Sequence, residues 1–207
     1  QRIFDTFPTQ NRAVTQSDYE NVAYRMPGKF GSIKRCSTQK DPDSLKRNLN
    51  MYVISQDSFN KLIHTNMTIK NNLKTWLNQY RMVNDTIDIL DPYIINLGIE
   101  FVATTLSPAH PDEVLESAKE VLMAFYQDSF FIGESLHISD IYSELKKVPE
   151  ILDVKNVKII NKTGNRYSNV QFAVNKNLSP DGSSLLCPKN AIFELKFPEV
   201  DIKGKIR

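Results

Sequence analysis

The sequence predicts an α+β protein made of small layered α/β units with short mixed sheets and a β-rich C-terminal tail. Apolar residues recur at helical spacing in several segments and alternate with polar residues in others. These segments follow in the order helix, strand, strand, helix, long strand, helix, helix, strand, before the tail. The 207 residues are 41% hydrophobic, so the chain can bury a core without disulfides or metals.

The first predicted helix begins near residue 15. Thr15 and Ser17 are both N-cap candidates, and the spacing of Ser17 and Glu20 fits a capping box. Pro27-Gly28 ends the helix. Two β-rich segments, 32–37 and 49–55, are joined by a polar loop and predict a hairpin-like pair.

A second helix is predicted over residues 68–84, where apolar residues form one stripe with steps of four and three. A short strand around Ile87 and Ile89 leads to a bend at Asp91-Pro92. The longest strand follows over 93–105, with its apolar residues on one face and polar residues on the other, which predicts a half-buried strand.

The remaining elements are two helices and a β-rich end. A helix is predicted from about Asp112, after a turn bracketed by Pro108 and Pro111, to about Gln127. A shorter helix is predicted from a cap at Ser139 and ends before Pro149, with a strand over 153–161. Residues 170–174 and 193–197 alternate like strands around a turn at 179–182, and the last residues are expected to be extended and exposed.

These elements predict four parts: an arm or linker (1–14), a first α+β unit (15–105), a second α+β unit (106–165) and a β-rich tail (166–207). The first residue is Gln1 rather than Met, and no signal peptide precedes the first helix. We therefore expect the sequence to be a C-terminal piece of a longer protein.

The net charge of +2 is the sum of uneven segments. Residues 1–50 hold nine Lys or Arg against five Asp or Glu, residues 101–150 hold three against nine, and residues 151–207 hold ten against five. Either the charges are solvated surface faces, or they allow copies to attract one another end to middle. In the acidic middle, Glu113, Glu116 and Glu120 recur at helical spacing, which favours a solvated helix face.

The pattern of reactive residues predicts neither a catalytic site nor a cofactor. None of His64, His110 and His137 lies in a nucleophile or metal-binding motif, and no phosphate-binding glycine motif occurs. Cys36 and Cys187 are far apart and are expected to be reduced thiols. Basic residues are not interleaved with aromatic ones, and no apolar run is long enough for a membrane helix, so neither nucleic acid nor membrane is expected as a partner.

Five aromatic residues are candidates for an interface between proteins, because aromatic side chains are enriched there. Core packing is the competing interpretation, and it is favoured for Trp76. The candidates are Phe130, Phe131, Phe193, Phe197 and Trp76.

Four segments in order resemble one known family. The segment NRAVTQSDYENVAYRMPGKFGSIKRCST from residue 11 is similar to the entry of the baseplate J-like proteins, and LNMYVIS together with NNLKTWLNQYRMVNDTIDILDPYIINLGIEFVA is similar to their middle. FFIGESLHISDIYSELKKVPEILDVKNVKI resembles their closing unit, and PKNAIFELKFPEVDIKG resembles the end of the wedge subunit of T4-like contractile tails. The resemblance covers residues 11–204.

The resemblance implies a structural subunit of the baseplate wedge, located in the virion tail and assembled in the host cytoplasm. It implies copies that associate as homodimers and form a ring around the hub, in contact with other wedge proteins. The family's subunit is longer than this chain, and its upstream part would be missing here. It offers no catalytic residues to carry over.

Two other functions remain open from the residues alone. A small α+β hydrolase requires one of the three histidines in a pocket beside a carboxylate. A monomeric ferredoxin-like adaptor requires that the chain does not associate with itself.

Overall fold

The computed structural model describes residues 12–41, 48–105, 111–127, 130–164 and 166–206 and confirms the α+β class. It divides the chain into two compact units, Gln1–Pro92 and Tyr93–Arg207. The predicted first unit extended to residue 105. The structural division falls earlier because the long strand pairs with three strands of the second unit. Most of the predicted arm, residues 1–11, lies outside the described residues.

The described part of the first unit contains two helices and four strands. They are α1 (Gln16–Tyr24), β1 (Arg35–Lys40), β2 (Asn48–Gln56), β3 (Leu62–His64), α2 (Met67–Leu77) and β4 (Thr86–Leu90). β1 and β2 are antiparallel, which confirms the predicted hairpin-like pair. On the other side of β2, β4 runs parallel to its first half and β3 runs antiparallel to its end.

Helix α1 begins with a capping box at Thr15, not at Ser17. The Asp18 N–H donates to Thr15 Oγ1 (3.2 Å), and the Thr15 N–H donates to Asp18 Oδ2 (2.8 Å). The predicted box at Ser17 was wrong because the carboxylate of Glu20 accepts a hydrogen bond from Thr38 N–H in β1 instead (2.6 Å). A long-range contact thus replaces a local one.

A buried hydrogen bond joins α1 to the turn before β4. Tyr19 is fully buried, and its hydroxyl donates to Oδ2 of the buried Asp85 (2.7 Å) while accepting from Met82 N–H (3.3 Å). Since a carboxylate removed from water must keep its hydrogen bonds, this pair fixes where the chain re-enters the sheet. The chain already turns at residues 78–80, so α2 ends at Leu77 and not at residue 84 as predicted.

The described part of the second unit contains three helices and six strands. They are β5 (Tyr93–Thr105), α3 (Pro111–Tyr126), β6 (Leu136–His137), α4 (Ile138–Leu145), β7 (Ile151–Asn161), β8 (Ser184–Leu185), β9 (Ala191–Glu194), α5 (Pro198–Asp201) and β10 (Ile202–Ile206). The predicted long strand is confirmed as β5, but residues 94–99 are all buried, so this part of the strand is not half-buried as predicted. The N-cap predicted at Ser139 is two residues too late, since α4 begins at Ile138 and its N-cap is His137.

Strand β5 is the centre of the second unit. β7 is antiparallel to it on one side, while β9 and β10 run parallel to its first and second halves on the other side. Helices α3 and α4 pack over one face and bury a single apolar core with the sheet. Alternation along β5 places Leu97, Ile99, Phe101 and Ala103 in this core.

The end of the chain differs from its predicted conformation. The last residues form β10, and Ile202 is buried beside Ile99 of β5 instead of being exposed. β9 ends at Glu194, and residues 195–197 leave the sheet. Residues 170–174, predicted to be strand-like, instead lead into a short 3-10 turn at Val174–Lys176. Short strands that add to an existing sheet are defined by their partner more than by their own sequence.

Candidate interaction surfaces

Two of the predicted interface residues lie together in the second unit. The rings of Phe130 and Phe193 meet edge to face with centroids 6.2 Å apart, and Phe172 packs on the other side of Phe193 at 5.7 Å. Phe193 is completely buried and Phe130 is half-buried. The structure therefore places Phe193 in the core, because its strand β9 is covered by these rings, and leaves only the outer side of Phe130 accessible.

Phe131 is the predicted residue that is most clearly at a surface. Its side chain is 46% exposed, while its N–H donates to Glu134 Oε2 (2.7 Å). The turn continues through Gly133, which has φ +77° and donates its N–H to Ala191 O (2.8 Å). The turn is thus held by hydrogen bonds, and an aromatic ring on a fixed turn loses little entropy when a partner covers it.

Trp76 and Phe197 are half-buried and have contacts inside their own units. The Trp76 Nε1–H donates to Val22 O (2.8 Å), and its ring lies 5.1 Å from that of Tyr80. Phe197 packs edge to face on Tyr167 (5.6 Å).

The Phe197 region is fixed by a buried carboxylate. Asp201 is fully buried and accepts hydrogen bonds from the Tyr167 hydroxyl (2.6 Å) and from Phe197 N–H (2.9 Å). Partial burial and the hydrogen bond to the Asp201 carboxylate raise the pKa of Tyr167 to about 12. Tyr167 therefore remains a protonated donor at neutral pH, and the chain entering β10 is tied to the loop before it.

Strand edges are the second kind of surface on which another protein could bind. β1 is an edge of the first sheet, but two of its outward N–H groups are occupied: Cys36 N–H donates to Tyr24 Oη (2.9 Å) and Thr38 N–H donates to Glu20 Oε1. β7 carries two bulges, with Leu152 and Lys155 as the extra residues. Occupied donors and bulges both disfavour strand addition at these edges.

The bond between Glu20 and Thr38 predicts a specific pH dependence. Burial raises the pKa of Glu20 above its ordinary 4.5, although the Thr38 N–H opposes this. The Glu20 carboxyl therefore stays protonated to higher pH in the folded chain than in the unfolded chain. Its contribution to the free energy of unfolding is largest below pH 4.5 and is lost as the pH rises through the raised pKa. We expect the melting temperature of Glu20→Gln, relative to the wild type, to increase between roughly pH 4 and pH 7.

Thermal unfolding followed by circular dichroism across this pH range measures the effect. The exposed Glu116→Gln is the matched control and should keep a constant difference from the wild type. A Glu20→Gln difference that is independent of pH would contradict the assigned burial of the carboxyl.

The face of the second sheet opposite α3 and α4 carries four lysines. In register across the sheet, Lys203 in β10 lies beside Glu100 in β5, which lies beside Lys158 in β7. Lys205 is two residues further along β10, and a Cβ at Gly98 would lie 2.6 Å from Lys162 Cε, so the Lys162 stem crosses the same face. We call Lys158, Lys162, Lys203 and Lys205 the basic strip.

The solvent side of α3 has the opposite charge. Asp112, Glu113, Glu116 and Glu120 are all exposed and recur along the helix, as the sequence predicts for a solvated face. We call these four residues the acidic stripe. Sequence reasoning placed the negative charge on a helix but missed the basic strip, because the strand β10 that aligns Lys203 and Lys205 was not predicted.

The described histidines and cysteines do not form a reactive constellation. His64 in the first unit is exposed, and its Nδ1 lies 3.8 Å from Asp91 Oδ1, beyond hydrogen-bond distance, while Lys70 binds that carboxylate at 2.6 Å. His137 in the second unit is exposed, and His110 lies outside the described residues. Burial raises the pKa of the Cys187 thiol to about 12, which keeps it protonated at neutral pH.

The described ranges contain neither a candidate metal site nor a candidate membrane span. Within residues 12–41, 48–105, 111–127, 130–164 and 166–206, no three His, Cys, Asp or Glu side chains are grouped so as to bind a metal ion. In the same ranges, every helix is too short or too polar to cross a membrane.

A similarity to known proteins is found in the fold and not in the sequence. No family model matches the sequence, and no curated protein matches it. A match among solved structures is the cryo-EM structure of the anti-feeding prophage (AFP) baseplate, 6-fold symmetrised, with a TM-score of 0.60 and 12% identity over 92% of this chain. The match covers 40% of that protein's chain, so the present chain spans less than half of its length. At this identity the likeness shows a shared fold.

Proposed function

We propose that this chain is a structural subunit of the baseplate of a contractile tail or of a related injection system. The observation that carries the proposal is the fold shared with a chain of the AFP baseplate over 92% of the present residues. The finer proposal is a baseplate J-like wedge subunit that self-associates and joins wedges into a ring around the hub, located in the virion tail. It is supported by the four ordered segments that resemble that family.

In this function, the surfaces that contact other subunits are the functional parts of the chain. The partners would be other copies of the chain, as a homodimer within the ring, and other wedge proteins. Phe131 and the outer side of Phe130 offer an aromatic contact, and Phe197 and Trp76 add smaller accessible areas. No catalytic residue, cofactor, nucleic acid or membrane enters the proposal. No specific observation favours a hydrolase, because His64 and His137 are both exposed and the Asp91 carboxylate beside His64 is bound by Lys70.

Deletion of the gene in the strain that encodes the chain tests the proposal. Electron microscopy of the particles should show tails without baseplates or no assembled contractile tails, and a plasmid copy of the gene should restore both. Deletion particles with intact baseplates would overturn the proposed function.

The same particles test the role of Phe131. We expect Phe131→Asp to keep the melting temperature of the isolated chain, because the ring is 46% exposed, but to reduce incorporation of the chain into particles by about tenfold. Quantitative immunoblots of purified particles measure incorporation. The matched control is Phe59→Asp, a substitution at the tip of a hairpin in the first unit that is 78% exposed. Equal incorporation of Phe131→Asp and the wild type would exclude Phe131 from the interface.

A further inference from the structure

The basic strip and the acidic stripe face in opposite directions across the second unit. Helix α3 buries Val114, Ala118 and Leu122 in the same core as Phe101. Phe101 in β5 and Gly204 in β10 are paired in register. A Cβ on Gly204 would meet both the Phe101 ring and Leu115 of α3, so this face of the two strands is the one that α3 covers. Because successive side chains of a strand point to opposite faces, Lys203 and Lys205 point away from α3. One copy therefore cannot join its own strip to its own stripe.

The charges on the two surfaces are complementary in number as well as sign. The strip has four lysines around Glu100, and the stripe has four carboxylates around Lys119. No lysine of the strip and no carboxylate of the stripe forms an ion pair with another described residue. Neighbouring like charges raise the local potential, which favours a partner of opposite sign.

We propose that the chain associates with itself head to tail, with the basic strip of one copy bound to the acidic stripe of the next. A two-fold contact through either surface would place like charges against each other, whereas a head-to-tail contact pairs opposite charges at every junction. Such a heterologous contact produces a closed ring or an open filament. This inference rests on the self-association in the proposed function and names the two surfaces that form it. The pair of copies proposed there is then a head-to-tail pair and not a two-fold dimer.

Charge reversal of either surface tests the contact. By sedimentation velocity, the wild-type chain should associate at about 20 mM salt and dissociate at about 500 mM salt, because screening acts strongly on exposed charges. Lys203→Glu with Lys205→Glu should be monomeric at low salt, and so should Glu116→Lys with Glu120→Lys. The control, Lys29→Glu with Lys176→Glu, makes the same net charge change at exposed lysines outside the strip and should still associate.

Mixing the two reversed variants distinguishes a specific contact from a general effect of charge or folding. In the equimolar mixture, each variant supplies the surface complementary to the other, so association should return, and the variant that carries all four reversals should associate alone. A wild-type chain that stays monomeric at low salt, a reversed variant that associates like the wild type, or a mixture that stays monomeric would each overturn the inference. If the deletion strain nevertheless lacks baseplates, the proposed function stands and only this contact fails.

Discussion

Replacement of Phe193 with Ala is expected to lower the free energy of unfolding by about 3–5 kcal/mol, the usual cost of removing a buried aromatic ring. Phe193 has no exposed area, and its ring contacts Phe130 and Phe172 edge to face. Its removal would leave a cavity under β9, whose parallel pairing with β5 holds this part of the sheet. Urea denaturation followed by fluorescence and circular dichroism measures the loss.

Phe131→Ala is the matched control for Phe193→Ala. Both substitutions remove the same atoms from the second unit, but the Phe131 ring is already 46% exposed, so its loss should change the free energy of unfolding by about 0.5 kcal/mol or less. The pair separates the two interpretations of the aromatic residues. If both variants lose stability equally, or if Phe193→Ala is neutral, Phe193 is not the core residue described above.

The sequence predicted elements well where a local pattern had no competing partner. β5 follows its predicted bounds because apolar residues at every second position from Ile95 to Ala103 allow only one register against a core. The cap of α1 shows the limit. Ser17 and Glu20 have the spacing of a capping box, but Glu20 is used by β1, whose outward N–H groups need acceptors. A local sequence pattern does not show that a backbone N–H of a distant strand needs the same carboxylate as its acceptor.

The predicted interface residues divide for the same reason. The sequence shows which segments are rich in aromatic residues. Whether a given ring lies in the core or at the surface depends on which other residues cover it. Phe130 and Phe131 are neighbours in sequence, yet one packs against Phe193 and the other faces solvent. The basic strip was beyond sequence reasoning because its lysines come from two separated segments, 158–162 and 203–205, that become neighbours only when β7 and β10 both pair with β5.

β10 joins β5 at one position where only glycine fits, and this gives the second large prediction. A Cβ on Gly204 would overlap Leu115 Cδ1 and Phe101 Cζ and would lie 2.8 Å from Phe101 Cε2. Phe101 is almost fully buried, so its ring has no free space into which to move. We expect Gly204→Ala to lower the free energy of unfolding by about 1–3 kcal/mol, despite the helpful loss of glycine entropy in the unfolded chain. Gly28→Ala, where nothing lies within 4 Å of the added Cβ, should cost much less.

A double-mutant cycle identifies the cause of the loss. Leu115 is half-buried on α3, so Leu115→Ala removes one of the two atoms that the new Cβ would overlap. Gly204→Ala should therefore cost less in the Leu115→Ala background than in the wild type, with a coupling of about 0.5 kcal/mol or more by urea denaturation. Additive losses would mean that α3 does not press on β10. Since this contact sets which face of β10 meets the helix, it also sets that Lys203 and Lys205 point to the opposite face, and the cycle is thus a test of the geometry beneath the basic strip.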